Sequence, residues 1–347
     1  MQILESTLLT GPYDWEEGVL PRSEFGPRLA RARTAMAQAG ATTLAVYGHP
    51  GNYGALAYLT NFTSKVGPAM ALVPREGPLR ILASGTPKMM DTAKLLTWVE
   101  DVRPLGNAPK NIAEFAGDGQ VLATWGFGMA PQQLYNGITK AMAPRTLVAL
   151  DKTLDAARRH KSSRELELIR GAARFLTAAT EAFTASVRAG RGVRSAGLAA
   201  ERAAIAAGAQ DARVMASLSP GSVPLPLDEM GDERVLGPAN AGFAVQNHGY
   251  WASAYTTVAH GPGAARAKAR EALAAALAGI RVGAPLPNGV TANAIGLSLE
   301  EGSGAPLEAG VVYALTSIVT DSRQTAYASA LVAVTDKGGD VIWQEPA

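Results

Sequence analysis

The stretch KSSRELELIRGAARFLTAATEAFTASV, residues 161–187, decides how the chain is divided and what its second half builds. Leu166, Ile169, Ala173, Leu176, Thr180, Phe183 and Val187 recur at three- and four-residue steps, so they share one face of a helix. Ser162 or Ser163 can cap its start, and Gly190 stops it. A second, Ala-rich helix is expected from about Ser195 to Ala207, halted at Gly208. Strand-like runs then cover 213–218, 243–258, 311–320 and 326–334, with one more helix over 264–278. Helices, strands, one helix and strands again fit an α+β domain whose helices cover one face of a curved antiparallel sheet.

Upstream, residues 156–164 are short, charged and poorly periodic, which sets a boundary between a domain over 1–155 and one over 156–347. In the first domain, residues 1–22 read as an irregular arm. Ser23 can cap a helix that includes Arg28 to Ala39 and ends at Gly40. The β-rich run Thr43–Tyr47 breaks at His49-Pro50-Gly51, and Met70–Val73 and Leu79–Leu82 read as strands joined by the turn Pro74–Gly77. Alternating strand and helix signals to about residue 150 predict a small α/β domain.

Bulk composition narrows the function. With 347 residues, 47% of them hydrophobic, the chain can bury two ordinary cores. The formal net charge is +2 and no Lys/Arg run occurs, so no nucleic-acid groove is expected. The absence of cysteine excludes disulfides, zinc thiolate sites and a Cys nucleophile. The segment Met1–Glu5 has no basic start and no long apolar run follows it, so neither a signal peptide nor a membrane span of roughly 20 apolar residues is expected, and a cytoplasmic location is. No strand-to-helix G-x-G-x-x-G pattern occurs, and no cofactor is expected.

Several fragments, in order, resemble the creatinase, prolidase and aminopeptidase P family. They are Tyr58–Phe62, Lys161–Arg170, Arg188–Gly190, Gly249–Ala252, Ala294–Leu297 followed by Glu300, Leu307–Tyr313 and Val334–Gly339. The resemblance covers both domains. It implies a small N-terminal creatinase-like α/β domain and a C-terminal pita-bread domain, and it implies a homodimer. Peptidases of that family resemble one another in using two Asp, one His and two Glu around two divalent ions, which lower the pKa of a bridging water and polarise a carbonyl. Carried over position by position, the first Asp falls near Gly242 to Asn247 and the second on Ser253. The His falls on Asn293, and the two Glu on Thr316 and near Ser329. None of these is acidic, and no Asp or Glu occurs between Glu233 and Glu271. No metal site is therefore expected. Creatinase resembles the fold yet works without metal, but the loop Ser219–Leu227 lacks the His its chemistry would need.

His248, just before Gly249-Tyr250, is the candidate proton-transfer group, since an imidazole titrates near neutrality; a solvent-exposed turn histidine is the equal alternative. Tyr255 and Glu300 are the assisting candidates, although the adjacent Glu300 and Glu301 also fit a surface loop. Tyr250, Trp251, Ser253, Asn293, Thr316 and Ser329 are candidate substrate-binding groups, Trp251 fitting sheet packing better. Alternation places Ser253, Tyr255 and Thr257 on one strand face. Arg323 beside Asp321 can clamp a carboxylate or form a surface pair. His49 can reach a site across a domain or dimer boundary, with a plain turn as the better reading. The function expected first is a metal-independent hydrolase or lyase acting on a small amino-acid-like or peptide-like metabolite at a C–N or related bond. The second is a non-catalytic relative that binds a peptide or metabolite. An Xaa-Pro metallopeptidase is a weak third.

Overall fold

The computed structural model of the chain describes residues 15–217, 224–229, 231–234, 237–258, 263–304, 306–321 and 324–345. The chain divides after Arg158 into two compact units. Among the described residues no helix is long and apolar enough to cross a membrane.

The first unit is a six-stranded mixed sheet flanked by helices. Its strands are β1 (Thr43–Gly48), β2 (Ala69–Pro74), β3 (Arg80–Ala83), β4 (Asp101–Pro104), β5 (Val121–Trp125) and β6 (Thr146–Ala149), in the order β4-β3-β2-β1-β5-β6. The expected hairpin is β2–β3, antiparallel with Ala71 opposite Ile81. Helices α1 (Phe25–Gln38), α2 (Gly54–Thr60), α3 (Ala108–Ala116), α4 (Gln132–Met142) and α5 (Asp151–Arg159) accompany them. Ser23 does not cap α1; it sits inside a preceding 3₁₀ turn, Arg22–Glu24, and Glu24 takes the cap position. The core on one side of the sheet joins Ala45, Met70, Leu72 and Leu82 to Ile112, Ile138 and Met142.

The second unit opens with α6 (Ser163–Arg188), whose start is fixed reciprocally. Ser162 Oγ accepts the Glu165 N–H at 3.2 Å, and Glu165 Oε2 accepts the Ser162 N–H at 3.0 Å. Helix α7 (Val193–Ala206) follows, and a third helix, α8 (Ala264–Ala278), lies further on. Two four-stranded sheets complete the unit. One has the order β10-β9-β7-β8, built from β7 (Asp211–Ala216), β8 (Leu225–Pro226), β9 (Ala239–Asn247) and β10 (Tyr250–Val258). The other has the order β11-β12-β13-β14, built from β11 (Val290–Ala294), β12 (Val312–Thr320), β13 (Thr325–Thr335) and β14 (Gly338–Gln344). The run expected as one strand over 243–258 is a hairpin. His248 and Gly249 both take positive φ, 46° and 82°, which is the two-residue turn whose twist suits antiparallel strands.

Among the described residues of this unit, helices pack on one face of each sheet. Phe243 of β9 meets Phe183 of α6 edge-on at 5.6 Å, and Tyr250 donates to Glu165 Oε1 at 3.0 Å. On the second sheet, Ala265, Ala269 and Leu273 of α8 pack on Ala292, Leu315, Ala326, Ala328 and Ala330. Pleating then sends the alternate residues to the opposite, uncovered face.

Candidate functional site

That uncovered face holds the candidate site. Strand register assigns it: Met215, Gly242 and Tyr255 are paired across β7, β9 and β10, as are Arg213, Ala244 and Ser253. Directly opposed residues of antiparallel strands point the same way. Trp251, Ser253, Tyr255 and Thr257 therefore share the face with Asn240, Gln246 and Arg213. On the second sheet Thr291, Thr316 and Ser329 are paired in line, and Asn293 is opposite Ala314.

The two sheets meet along β10 and β13, and side chains make the junction. Ser329, fully buried, accepts the Tyr255 N–H at 2.9 Å and donates to the Tyr255 carbonyl at 2.8 Å through the same Oγ. Thr316 Oγ1 lies 3.3 Å from Ser329 Oγ. Thr257 Oγ1 donates to Asn240 Oδ1 at 2.6 Å and accepts the Tyr327 N–H at 2.7 Å. Asn240 Nδ2 donates to the Thr325 carbonyl at 3.0 Å. The hydroxyls thus satisfy backbone groups that no neighbouring strand pairs, which is what a buried polar group must achieve.

Aromatic rings fill the rest. Tyr255 and Tyr327 stand 5.6 Å apart. A β-carbon added at Gly242 would lie 2.6 Å from the Tyr255 ring, so the ring occupies the space into which a side chain at 242 would project. Burial, and secondarily Tyr255 beside it, pushes the Tyr327 phenol above its ordinary value, so it stays protonated at neutral pH. The cation on this face is Arg213, which stacks over Trp251 at 4.7 Å and pairs with Asp211 at 2.9 Å.

Hydrogen bonds join Tyr255, Ser329 and Thr316, while register places Ser253 and Trp251 on the same face of the first sheet and Asn293 on that of the second. Four candidates lie elsewhere. Tyr250 is buried on the opposite, helix-covered face and bonds Glu165, so it cannot line this site. His248 occupies the hairpin turn beyond Tyr250; five strand steps put about 16 Å between Tyr250 and Tyr255. Glu300 is exposed in the loop after β11, whereas its neighbour Glu301 is buried and pairs with Lys161 Nζ at 2.6 Å. His49 belongs to the first unit, where its Nδ1 accepts the Gly51 N–H at 3.1 Å as a turn residue. Arg323 lies outside the described residues. Asn240, Tyr327 and Arg213 were not expected. Carrying the alternation from Ser329 to Tyr327, and from Ser253 across to β7, is the signal that finds two of them.

The donor set does not fit a pair of divalent ions. Such ions need several anionic oxygens, and the positions in question are the run Gly242 to Asn247, Ser253, Asn293, Thr316 and Ser329, none of them acidic. The buried hydroxyls at 316 and 329 are already engaged, and the space at 242 is taken by a ring. Among the described residues no group of three or more His, Cys, Asp and Glu side chains converges.

No family model matches the sequence, and no curated protein does. Solved structures do match in fold. The X-Pro aminopeptidase of Thermotoga maritima MSB8 superposes with a TM-score of 0.75 at 17% identity, over 92% of this chain and 98% of that one. The prolidase of Pyrococcus horikoshii OT3 gives 0.74 at 13% identity, over 92% and 99%. The Xaa-Pro dipeptidase of Bacillus anthracis gives 0.72 at 17% identity, over 93% and 98%. The chain has the fold of the prolidase, Xaa-Pro dipeptidase and aminopeptidase P structures, a small mixed α/β unit followed by a pita-bread unit.

Proposed function

We propose that this chain does not run the two-metal peptidase reaction and instead binds a small, neutral, amino-acid-like or peptide-like molecule without a metal. One observation carries the proposal: the Ser329 hydroxyl spends its bonds on the Tyr255 backbone and Thr316, where a carboxylate would have to face an ion. Ser253 and Tyr255 are half-buried and Asn293 is exposed, which leaves amide and alcohol groups within reach of a ligand. Neutral groups of this kind select a neutral polar partner by hydrogen bonds. The amino-acid or peptide character follows from fold analogy alone. Thermal shift and calorimetry against amino-acid amides and dipeptides test it. Saturable binding unaffected by EDTA is expected, and Xaa-Pro hydrolysis that requires added Mn²⁺, Co²⁺ or Zn²⁺ would refute it.

A second reading, a metal-independent hydrolase or lyase, is favoured by the Tyr255–Tyr327 pair. A protonated, buried phenol beside a half-buried one can donate a proton to a leaving group. Turnover that survives EDTA and is lost in Tyr327→Phe, with the fold intact, would establish it. A homodimer also belongs to the proposal and is checked by light scattering.

A further inference from the structure

A row of apolar and aromatic side chains crosses the strands of the uncovered face. Its first half lies on β7, β9 and β10. Gly242 leaves a gap in β9, and two side chains close it. A β-carbon at 242 would lie 2.6 Å from the Tyr255 ring and 3.3 Å from Met215 Cε. The second half lies on β13 and β12. The Tyr327 ring stands 5.6 Å from that of Tyr255, inclined at 32°, and Ile318 is the strand partner of Tyr327. Leu315 and Val319 join the core beneath α8, so alternation turns Thr316 and Ile318 to the uncovered face. The row is open to a ligand: Ile318 is 38% exposed, and Met215 and Tyr255 are half-buried.

The neighbouring row differs in chemistry. Arg213, Ala244 and Ser253 are paired across the same three strands. Asp211 answers the Arg213 charge at 2.9 Å, Ala244 is small, and Ser253 offers a hydroxyl that can donate and accept. Ser253 and Tyr255 are two residues apart, about 7 Å along the strand, which is the reach of an aromatic side chain from its own backbone amide.

A ligand on this face therefore meets rings at one end and an alcohol at the other. Aromatic rings gain more against Tyr faces and a Met methyl than their area alone provides, whereas an aliphatic chain gains mainly area. We propose that the ligand is an amino-acid-like molecule with an aromatic side chain, its ring against Tyr255, Tyr327 and Ile318 and its amide at Ser253. The inference rests on the metal-free binding reading given above and names the class of side chain that the site takes.

Calorimetry of the full chain in EDTA, with the neutral N-acetyl amides of L-phenylalanine, L-leucine and L-alanine, tests it. The phenylalanine derivative is expected to bind at least about tenfold tighter than the alanine derivative, with leucine between them. Alanine binding as tightly as phenylalanine, or leucine binding more tightly, overturns the inference and leaves the metal-free reading standing. Binding by none of the three overturns both. Methyl NMR gives a readout that needs no variant. Ring currents from the bound phenylalanine derivative should move the Ile318 and Met215 methyl resonances upfield, and saturable binding that leaves both unmoved overturns the inference. Ile318→Ser, at an exposed position, should weaken the phenylalanine derivative about threefold while the melting temperature holds; an unchanged affinity counts against the proposal.

Discussion

Ser329 shows how one hydroxyl can hold a seam. Its Oγ is both acceptor and donor for the Tyr255 backbone, in a fully buried setting. Alanine at 329 would leave a buried N–H and a buried carbonyl without partners, at a cost of about 1–3 kcal/mol. Denaturant unfolding of Ser329→Ala should show that loss with an unchanged slope, and a neutral result would remove the seam's significance. Tyr327 makes a pH prediction. Its folded-state pKa is raised by burial above the unfolded value near 10. Above pH 10 the unfolded chain therefore releases this proton before the folded one does, and stability falls as pH rises; below pH 10 the group contributes no pH dependence. Tyr327→Phe should flatten the alkaline decline measured between pH 8 and 11. Both residues lay in plain view in the sequence, Ser329 as a position carried over from the family pattern. Tyr327 stands two residues before Ser329 in β13, so strand alternation alone places the two on one face.

At the scale of elements, the loop after β11 is fastened to the entry of α6. Lys161 Nζ meets Glu301 Oε2 at 2.6 Å and donates to the Arg159 carbonyl at 2.9 Å, with 0% and 1% of the two charged side chains exposed. Gly296 makes room for the pair: a β-carbon there would come within 2.6 Å of Lys161 Cε and 2.7 Å of Glu301 Oε1. Removing one partner strands a buried charge, so Lys161→Met should destabilise by about 3–5 kcal/mol. Lys161→Met with Glu301→Leu should recover most of that loss, and a double-mutant cycle by urea unfolding reads the coupling. Additive losses would mean the pair does not couple. The sequence showed Glu300 and Glu301 side by side and could not separate them. Burial does so, because the chain turns between a residue facing solvent and one facing Lys161. The helix over 163–188, by contrast, was legible from its apolar period and its Ser-x-x-Glu start, both local signals. His248 was ambiguous for the opposite reason. Its role as a turn residue depends on β9 pairing with β10, which is a property of two segments rather than one.

For the whole molecule, the second unit has the fold of solved peptidase structures, and the positions carried over from the family pattern hold uncharged side chains. The scaffold was readable from the order of weak fragments, and the solved structures share it over 92–93% of the chain at 13–17% identity. Which face of β10 looks away from the helices was readable only as a parity, Ser253 with Tyr255 and Thr257. The structure adds that Tyr255 fills the space at Gly242 and that the hydroxyls bond across the seam. Metal binding tests the central claim most directly. Purified full-length protein would be titrated with Mn²⁺, Co²⁺ and Zn²⁺ by calorimetry, with thermal unfolding in parallel. A functional pair of ions at a hundred times its dissociation constant would stabilise the fold by about 2.7 kcal/mol per site. No stoichiometric uptake and no rise in melting temperature are expected; two ions bound per chain with such a rise would show that the uncharged positions hold metal after all.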